Sequence, residues 1–473
     1  MQGMTTMRRI SRRTFIKRGS LLAGAAVALA PPARVLGANE DLRLATIGFH
    51  GQGGLHLRLL RELAGVRVVA LCDVDRAVLD RGRIAAEKLG QKVDTYVDLR
   101  KLLENKNIDA VTIAAPDHWH VLATVWACQA GKDVYVEKPL SHNIFEGRKA
   151  VEAAEKYGRI AQWGNQSHGH RTASMHLEKE GLGKIRVVWT SLNRSRKSIG
   201  KVAGLQKPPE SLDYNLWCGP APLEPLLRKN LHYDWHWVWS TGTGEIGNNG
   251  IYQLDAARLR LGQGLPKRVM SLGGRFLFDD DGQTPNTQIA LFQYDPGPLV
   301  IFELRNLPTQ KGPQMAGEKA KYERGESRLP DPHGPEGDTG GFPRHKGHLF
   351  NFLSAVRSRR TSDLRAPLIE GHLSSTLVHM ANISYRLGTP QSADAARETI
   401  QDQGSEAIAV FDGFREHLKA NGVDFAKTQV VVGPWLEMDP VTERFVGSSD
   451  LVAKANELAR GQYREPFLVP EKV

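Results

Sequence analysis

Short apolar runs alternate with longer amphipathic stretches over the first third of the chain after residue 40, the pattern of buried strands joined by helices. Leu42 to Ile47 predicts a first buried strand. Gly48 to Gly54 reads as a turn into a helix beginning near Leu55, and Val66 to Leu71 as a second strand closing on Cys72-Asp73. Lys88 to Thr95 leads into a third strand, and Leu99 to Leu103 predicts a short helix. Strands follow at Ala110 to Ala115 and Asp133 to Val136, then a helix from Ile144 to Tyr157 and a strand from Ile160 to Trp163. This alternation predicts a doubly wound, largely parallel sheet.

Beyond residue 166 the rhythm changes. A helix over Thr172 to Glu180 is predicted, stopped by Gly181 to Gly183, then a strand over Ile185 to Leu192. Further strands are read at Arg268 to Phe278, Thr287 to Tyr294 and Leu299 to Leu304, and helices at Gly347 to Ser358 and Gly371 to Leu387, the second ending at Gly388. Residues 308 to 345 are rich in Pro, Gly and charge without periodicity and predict a long surface excursion, a lid or a dimer arm. The tail from Gln401 holds one helix near Ile408 to Asn421 and an extended run with Pro and Trp.

The boundaries that follow are 1–38, 39–166 and 167–473. The first of these is a targeting segment. Ser11-Arg12-Arg13-Thr14-Phe15-Ile16-Lys17 is a twin-arginine signature, followed by the apolar run Leu21 to Ala30, too short for the ~20 residues that span a bilayer. It predicts export of a folded protein to the periplasm through the twin-arginine machinery.

Charge looks informative until it is located. The formal net charge is +11, yet seven basic residues and no acidic one lie before residue 39; without them 56 basic residues face 52 acidic ones. A nucleic-acid partner is therefore not expected, since its footprint would cluster on the folded domain. The three cysteines, Cys72, Cys128 and Cys218, support neither a disulfide framework nor a metal site.

Chemistry gathers where predicted strands end. Gly48 to Gly54 offers glycines for a tight turn and close backbone approach to a pyrophosphate at a helix N-terminus. Asp73 lies 25 residues after Gly48, close to the ~20 expected for a ribose-binding carboxylate, and favours NAD over NADP. Pro116-Asp117-His118-Trp119-His120 and Glu137-Lys138-Pro139 follow two later strands. Together these motifs resemble the Gfo/Idh/MocA family of sugar and cyclitol oxidoreductases.

That resemblance implies an N-terminal Rossmann dinucleotide-binding domain and a C-terminal α+β domain with a large open, mostly antiparallel sheet whose outer face makes homo-oligomers. It implies NAD, or NADP, as cofactor, bound by Gly48, His50, Gly51, Gly53, Asp73, Glu137 and Lys138. Pro116, Asp117, His118 and His120 are expected as a loop over the nicotinamide end, and Gln162 and Asn165 as crossover amides reaching the site. His50 departs from the pattern: it stands at the second glycine, where a side chain crowds the pyrophosphate unless Gly51 takes over with a shifted turn.

The family's second catalytic element, an Asp and a His four residues apart on one helical face, is matched by Asn248 and Tyr252, with Gly250 and Asp255 retained. A phenol with an ordinary pKa of ~10 is a poorer proton acceptor near neutrality than His, unless the Lys138 cation lies beside it. Lys138 and Tyr252 are thus the expected acid/base pair, with Asn248 positioning substrate. Trp235, Trp237 and Trp239 alternate, which on an extended segment puts them on one face; such a face stacks on a sugar ring or fills a core. Substrate contacts are expected from Lys138, Trp235, Trp237 and Asp255. Three functions fit: a sugar, cyclitol or glycoside oxidoreductase, an NAD-dependent glycosidase that oxidises, eliminates and re-reduces, or a non-catalytic sugar- or cofactor-binding relative.

Overall fold

The computed structural model describes residues 41–168, 182–308, 319–328 and 343–473. The predicted targeting segment and the helix expected at 172–180 lie outside them.

Six parallel strands form the first sheet: β1 (Leu42–Ile47), β2 (Val66–Cys72), β3 (Asp94–Tyr96), β4 (Ala110–Ile113), β5 (Asp133–Glu137) and β6 (Ala161–Gly164), in the order β3-β2-β1-β4-β5-β6. Every residue of β4, β5 and β6 is buried, as expected where helices cover both faces of a parallel sheet. The connecting helices are α1 (Gln52–Arg61), α2 (Arg76–Glu87), α3 (Leu99–Glu104), α4 (Asp117–Gln129) and α5 (Ile144–Lys156). Asp75, Asp98 and Asn143 cap the starts of α2, α3 and α5 with side-chain oxygens. Strand order reverses between β1 and β4, opening a crevice at their carboxyl ends.

The second sheet is mixed. Strands β7 (Ile185–Asn193), β8 (Arg268–Gly274), β9 (Thr287–Gln293) and β10 (Leu299–Arg305) make its centre, and only β7 and β10 run parallel. Side-chain alternation divides its faces. Phe292, Val300, Phe302 and Leu304 join the main core with Ile251, Leu254 and Ala257 of a helix over Ile251–Leu261, whereas Ile289, Leu291, Leu299 and Ile301 pack with Phe411 and Phe414 of a helix over Ser405–Ala420.

Three expectations are corrected, and the tail acquires a role. The excursion expected over 308–345 carries regular structure in its described part: Lys319–Tyr322 and Gly325–Arg328 form a hairpin that pairs with β7 at the sheet edge. Asp117, His118 and His120 sit in the first turn of α4 rather than in a loop, because Pro116 supplies a helix-starting φ of −59°. The tryptophan run is not extended: Leu231–Asp234 is helical and Trp235–Trp237 a 3-10 turn, so the three rings point to different places. The tail, for which no role was read, completes both halves: Val430–Val432 and Leu436–Asp439 pair with β8, and Phe467 packs edge-on against Trp119 of α4 at 5.6 Å.

Phe302 is fully buried at the join between sheet and helix, and a Cβ on Gly250 would approach its ring to 2.7 Å. Phe302→Ala should destabilise the fold by about 3–5 kcal/mol, read as a lower urea midpoint at unchanged m-value.

Candidate active site

A cavity of about 560 Å³ occupies the crevice at the carboxyl ends of β1, β4 and β5. One end is bounded by Gly48 to Gln52, Asp73, Val74 and Asp98, the other by Pro116, Asp117, Lys138, His236, Asn248 and Tyr252.

The glycine turn is built by close packing. Gly48 has φ +72° and lies against Ala115, so that a Cβ would come within 2.9 Å of that backbone. A Cβ on Gly53 would lie 2.0 Å from the Gly48 carbonyl oxygen, whereas one on Gly51 would meet no atom within 4 Å and project into open space. No side chain caps the N-terminus of α1, and in its first turn the Gly54 N–H donates to the Gly51 carbonyl at 2.9 Å; such a helix start suits an anion. Asp73 closes β2 and accepts from the N–H groups of Phe49 at 3.2 Å and Asp75 at 3.1 Å. Burial raises its pKa, and those two bonds oppose the rise. A phosphate cradle at a helix start with a carboxylate at the end of the next strand fits a dinucleotide.

At the other end Glu137 is enclosed by donors: His56 Nε2 at 2.9 Å, Gln166 Nε2 at 3.1 Å and Gln52 Nε2 at 3.2 Å. Burial acts to raise its pKa, but the bond and charge of His56 and the charge of Lys138 outweigh this and hold it at about 2. Lys138 Nζ donates to the Asn248 carbonyl at 2.6 Å and to Asn248 Oδ1 at 3.2 Å, and lies over the Tyr252 ring, 5.8 Å from its centroid. Burial lowers the Lys138 pKa, opposed by Glu137, Asp117 and Glu245.

Asn248 sits in a π-helical turn, Ile246–Gly250, that runs directly into the helix bearing Tyr252, and both side chains line the cavity. Such turns recur at functional sites. Beneath them the buried Glu245 accepts from Arg196 through both oxygens, at 2.9 and 3.0 Å, and from Asn249 Nδ2 at 2.6 Å. Asp117 receives the Thr243 hydroxyl at 2.7 Å, and burial pushes its pKa up to about 7 against that bond and the Lys138 charge. His236 donates from Nδ1 to the Tyr233 carbonyl at 2.6 Å, which leaves Nε2 as an acceptor. Burial, with the charges of Lys138 and Arg196, carries its pKa down to about 3.

Of the residues expected from sequence, the cavity brings together Gly48, His50, Gly51, Asp73, Pro116, His120, Glu137, Lys138, Trp235, Asn248 and Tyr252. Gly53 supports the turn from below. His120 bonds the carbonyls of Ala115 and Pro139, at 2.8 and 2.6 Å, and so ties two strand ends together.

Five expected residues lie elsewhere. His118 turns to the carbonyls of Trp217 and Thr241, on the far side of α4. Gln162 of β6 bonds His348, and Asn165, just past the strand, bonds Asp255, so both side chains are used up in the packing of later helices. Asp255 is fully buried among Asn165, His168 and Ser374. Trp237 is buried beneath the Arg196 guanidinium, since the 3-10 turn rotates it from Trp235. Sequence reasoning missed His236, Glu245 and the chemistry of Asp117. Glu245, three residues before Asn248, was visible as a helical neighbour; His236 was hidden by the tryptophan alternation.

The fold and site define a dinucleotide-binding oxidoreductase. Residues 42–165 match an oxidoreductase family described as having an NAD-binding Rossmann fold, and residues 189–420 match the C-terminal alpha/beta domain of the same family. The chain belongs to the Gfo/Idh/MocA oxidoreductases. Inositol 2-dehydrogenase 1 of Saccharopolyspora erythraea is 35% identical over 124 residues, 24% of this chain and 36% of that protein. An alpha-N-acetylgalactosaminidase of Shewanella oneidensis is 34% identical over 122 residues, 25% of this chain and 27% of that protein. The matched stretch thus spans about a third of these relatives' length or less. Among solved structures, the WlbA dehydrogenase of Bordetella pertussis, in complex with NADH and UDP-GlcNAcA, shares the fold with TM-score 0.53 at 16% identity, covering 72% of this chain and 95% of that one. The myo-inositol dehydrogenase of Lactobacillus casei, in complex with NAD(H) and myo-inositol, does so with TM-score 0.51 at 17% identity, covering 73% and 95%.

Two outcomes are expected. Gly53→Ala, which drives a Cβ into the Gly48 carbonyl, should weaken NAD binding by at least about tenfold in titration calorimetry, the loss expected when a cradle is displaced. Asp117 has a folded-state pKa raised above its unfolded one, so its protonated form stabilises the fold at acid pH and that contribution is lost as pH rises from about 4 to about 7. Asp117→Asn should therefore gain stability relative to wild type across that window, on the order of 4 kcal/mol, and hold a constant difference above it. Melting temperatures from pH 4 to 8 test this.

Proposed function

We propose that the protein is an exported oxidoreductase that transfers hydride between NAD and a hydroxyl or carbonyl carbon of a sugar, cyclitol or glycoside. The observation that carries this reading is the convergence of Lys138, Asn248 and Tyr252 in the same cavity as the glycine turn and Asp73. Bound nicotinamide supplies the hydride acceptor or donor. Lys138, an ammonium oriented by Asn248, holds the reacting oxygen, and Tyr252 takes the hydroxyl proton. The nearby positive charge stabilises the phenolate that the transfer requires. His236 Nε2 accepts a second substrate hydroxyl, and Trp235 gives an apolar wall. Asp73 favours NAD, its carboxylate repelling a 2′-phosphate.

The twin-arginine signature before residue 39 supports export to the periplasm by that machinery, and the broad second sheet supports a homo-oligomer. A second reading, net hydrolysis of a glycoside through oxidation, elimination and re-reduction, is favoured by the similarity to a galactosaminidase.

Purified, export-competent protein should release NAD in near-stoichiometric amount on denaturation, identified by mass spectrometry; the absence of bound or bindable nucleotide would overturn the proposal. With a turned-over sugar in hand, Lys138→Met should lower kcat by about a thousandfold while leaving nucleotide content unchanged. Cleavage of an aryl glycoside without net NADH formation would decide for the hydrolytic reading.

A further inference from the structure

His50 occupies the place of a glycine whose usual role is to keep the turn free of side chains. Its ring leaves the turn and stacks on His232, with centroids 4.5 Å and planes 17° apart. His232 belongs to the short helix Leu231–Asp234 of the second half, and its Nε2 lies 2.9 Å from Oδ2 of Asp75, the cap of α2. The same strand end is tied by backbone: Arg76 N–H donates to the Ser211 carbonyl at 2.9 Å and Asp213 N–H to the Val74 carbonyl at 3.0 Å. His50, Val74 and His232 all line the cofactor cavity. Two segments of the second half are therefore tied to this strand end; the one bearing His232 lines the cavity, and the histidine stack joins it to the glycine turn.

We propose that His50, His232 and Asp75 form a clasp that retains the nucleotide, so that NAD behaves as a resident group and not as a freely exchanging cosubstrate. The inference rests on the NAD-binding assignment and adds to it. A stacked aromatic pair contributes about 0.5–1.5 kcal/mol beyond its buried area, and here the second ring is also anchored by a carboxylate. Opening the cavity at this end separates the rings and breaks the His232–Asp75 bond together. The groups facing His50 are His232, Arg81 and Asp75; burial, His232 and Arg81 lower its pKa and Asp75 raises it, which favours a neutral ring that stacks without repulsion. The departure from glycine is accommodated because the His50 ring stacks on His232, while Gly51 beside it is open on its Cβ side.

The test uses full-length protein loaded with NAD and then mixed with excess isotopically labelled NAD, with exchange of the bound nucleotide followed by mass spectrometry. His50→Gly and His232→Ala should each speed exchange about tenfold. The double variant should be no faster than the faster single one, because both remove one stack. His50→Phe should keep exchange slow. Unchanged exchange in both single variants, or effects that multiply in the double variant, would overturn the clasp. Circular dichroism melts of the same variants separate loss of the clasp from loss of the fold. Wild-type protein that neither carries nor takes up NAD would overturn the NAD-binding assignment, and the clasp with it.

Discussion

Everything at the catalytic end of the cavity depends on an ionised carboxylate kept out of water. Glu137 closes β5, and a bare charge at that depth would be neutralised or expelled. It persists because His56 and Gln52 of α1 and Gln166 beyond β6 all aim at it. The same bonds fix the helix that starts at the glycine turn against the strand that delivers Lys138. Cofactor cradle and reactive lysine are thus registered to each other through one side chain. Removing it would leave the buried His56 Nε2 without its partner, at a cost of about 1–3 kcal/mol.

A second buried charge system does the corresponding work from the other half of the chain. Glu245, paired with Arg196, holds Asn249 and lies within reach of Asn248 at 3.4 Å. Asn248 in turn engages Lys138 through its backbone and side chain. The ammonium is therefore located by a chain of polar contacts that begins on β7's extension and ends at β5, with a π-helical turn as the adjustable link. Where the family pattern leads one to expect an acid and a histidine, this chain has an amide and a phenol. Protonatable groups reach the same cavity from elsewhere, Asp117 from the start of α4 and His236 from the 3-10 turn.

The legibility of this architecture in the sequence follows from how local each signal is. Strands buried on both faces read as continuous apolar runs, so β1, β2, β4 and β5 were found within a residue or two. Gly48, Asp73, Lys138 and Tyr252 were legible because a turn, a strand end or a helical repeat places them without reference to the rest of the fold. Gln162, Asn165 and Asp255 were misplaced for the opposite reason: a polar side chain beside a site and one sealed beneath it have the same local pattern, and only the packing of later helices distinguishes them. The tryptophan run failed on period. Alternation suggested a strand, but two successive helical turns carry Trp235 to the cavity and Trp237 to the core.

The edge-on contact between Phe467 and Trp119 has a bearing on the order of events in the cell. Trp119 lies two residues into the helix that begins at the cavity, and its cover comes from Phe467 in the tail; Arg464 also reaches back to bond Asn215 and Ala221. An N-terminal domain usually matures while the remainder is still being synthesised. Here Trp119 of the nucleotide-binding half receives this cover only after a segment as late as Phe467 has been made. A product stalled before Phe467 leaves Trp119 without that aromatic cover.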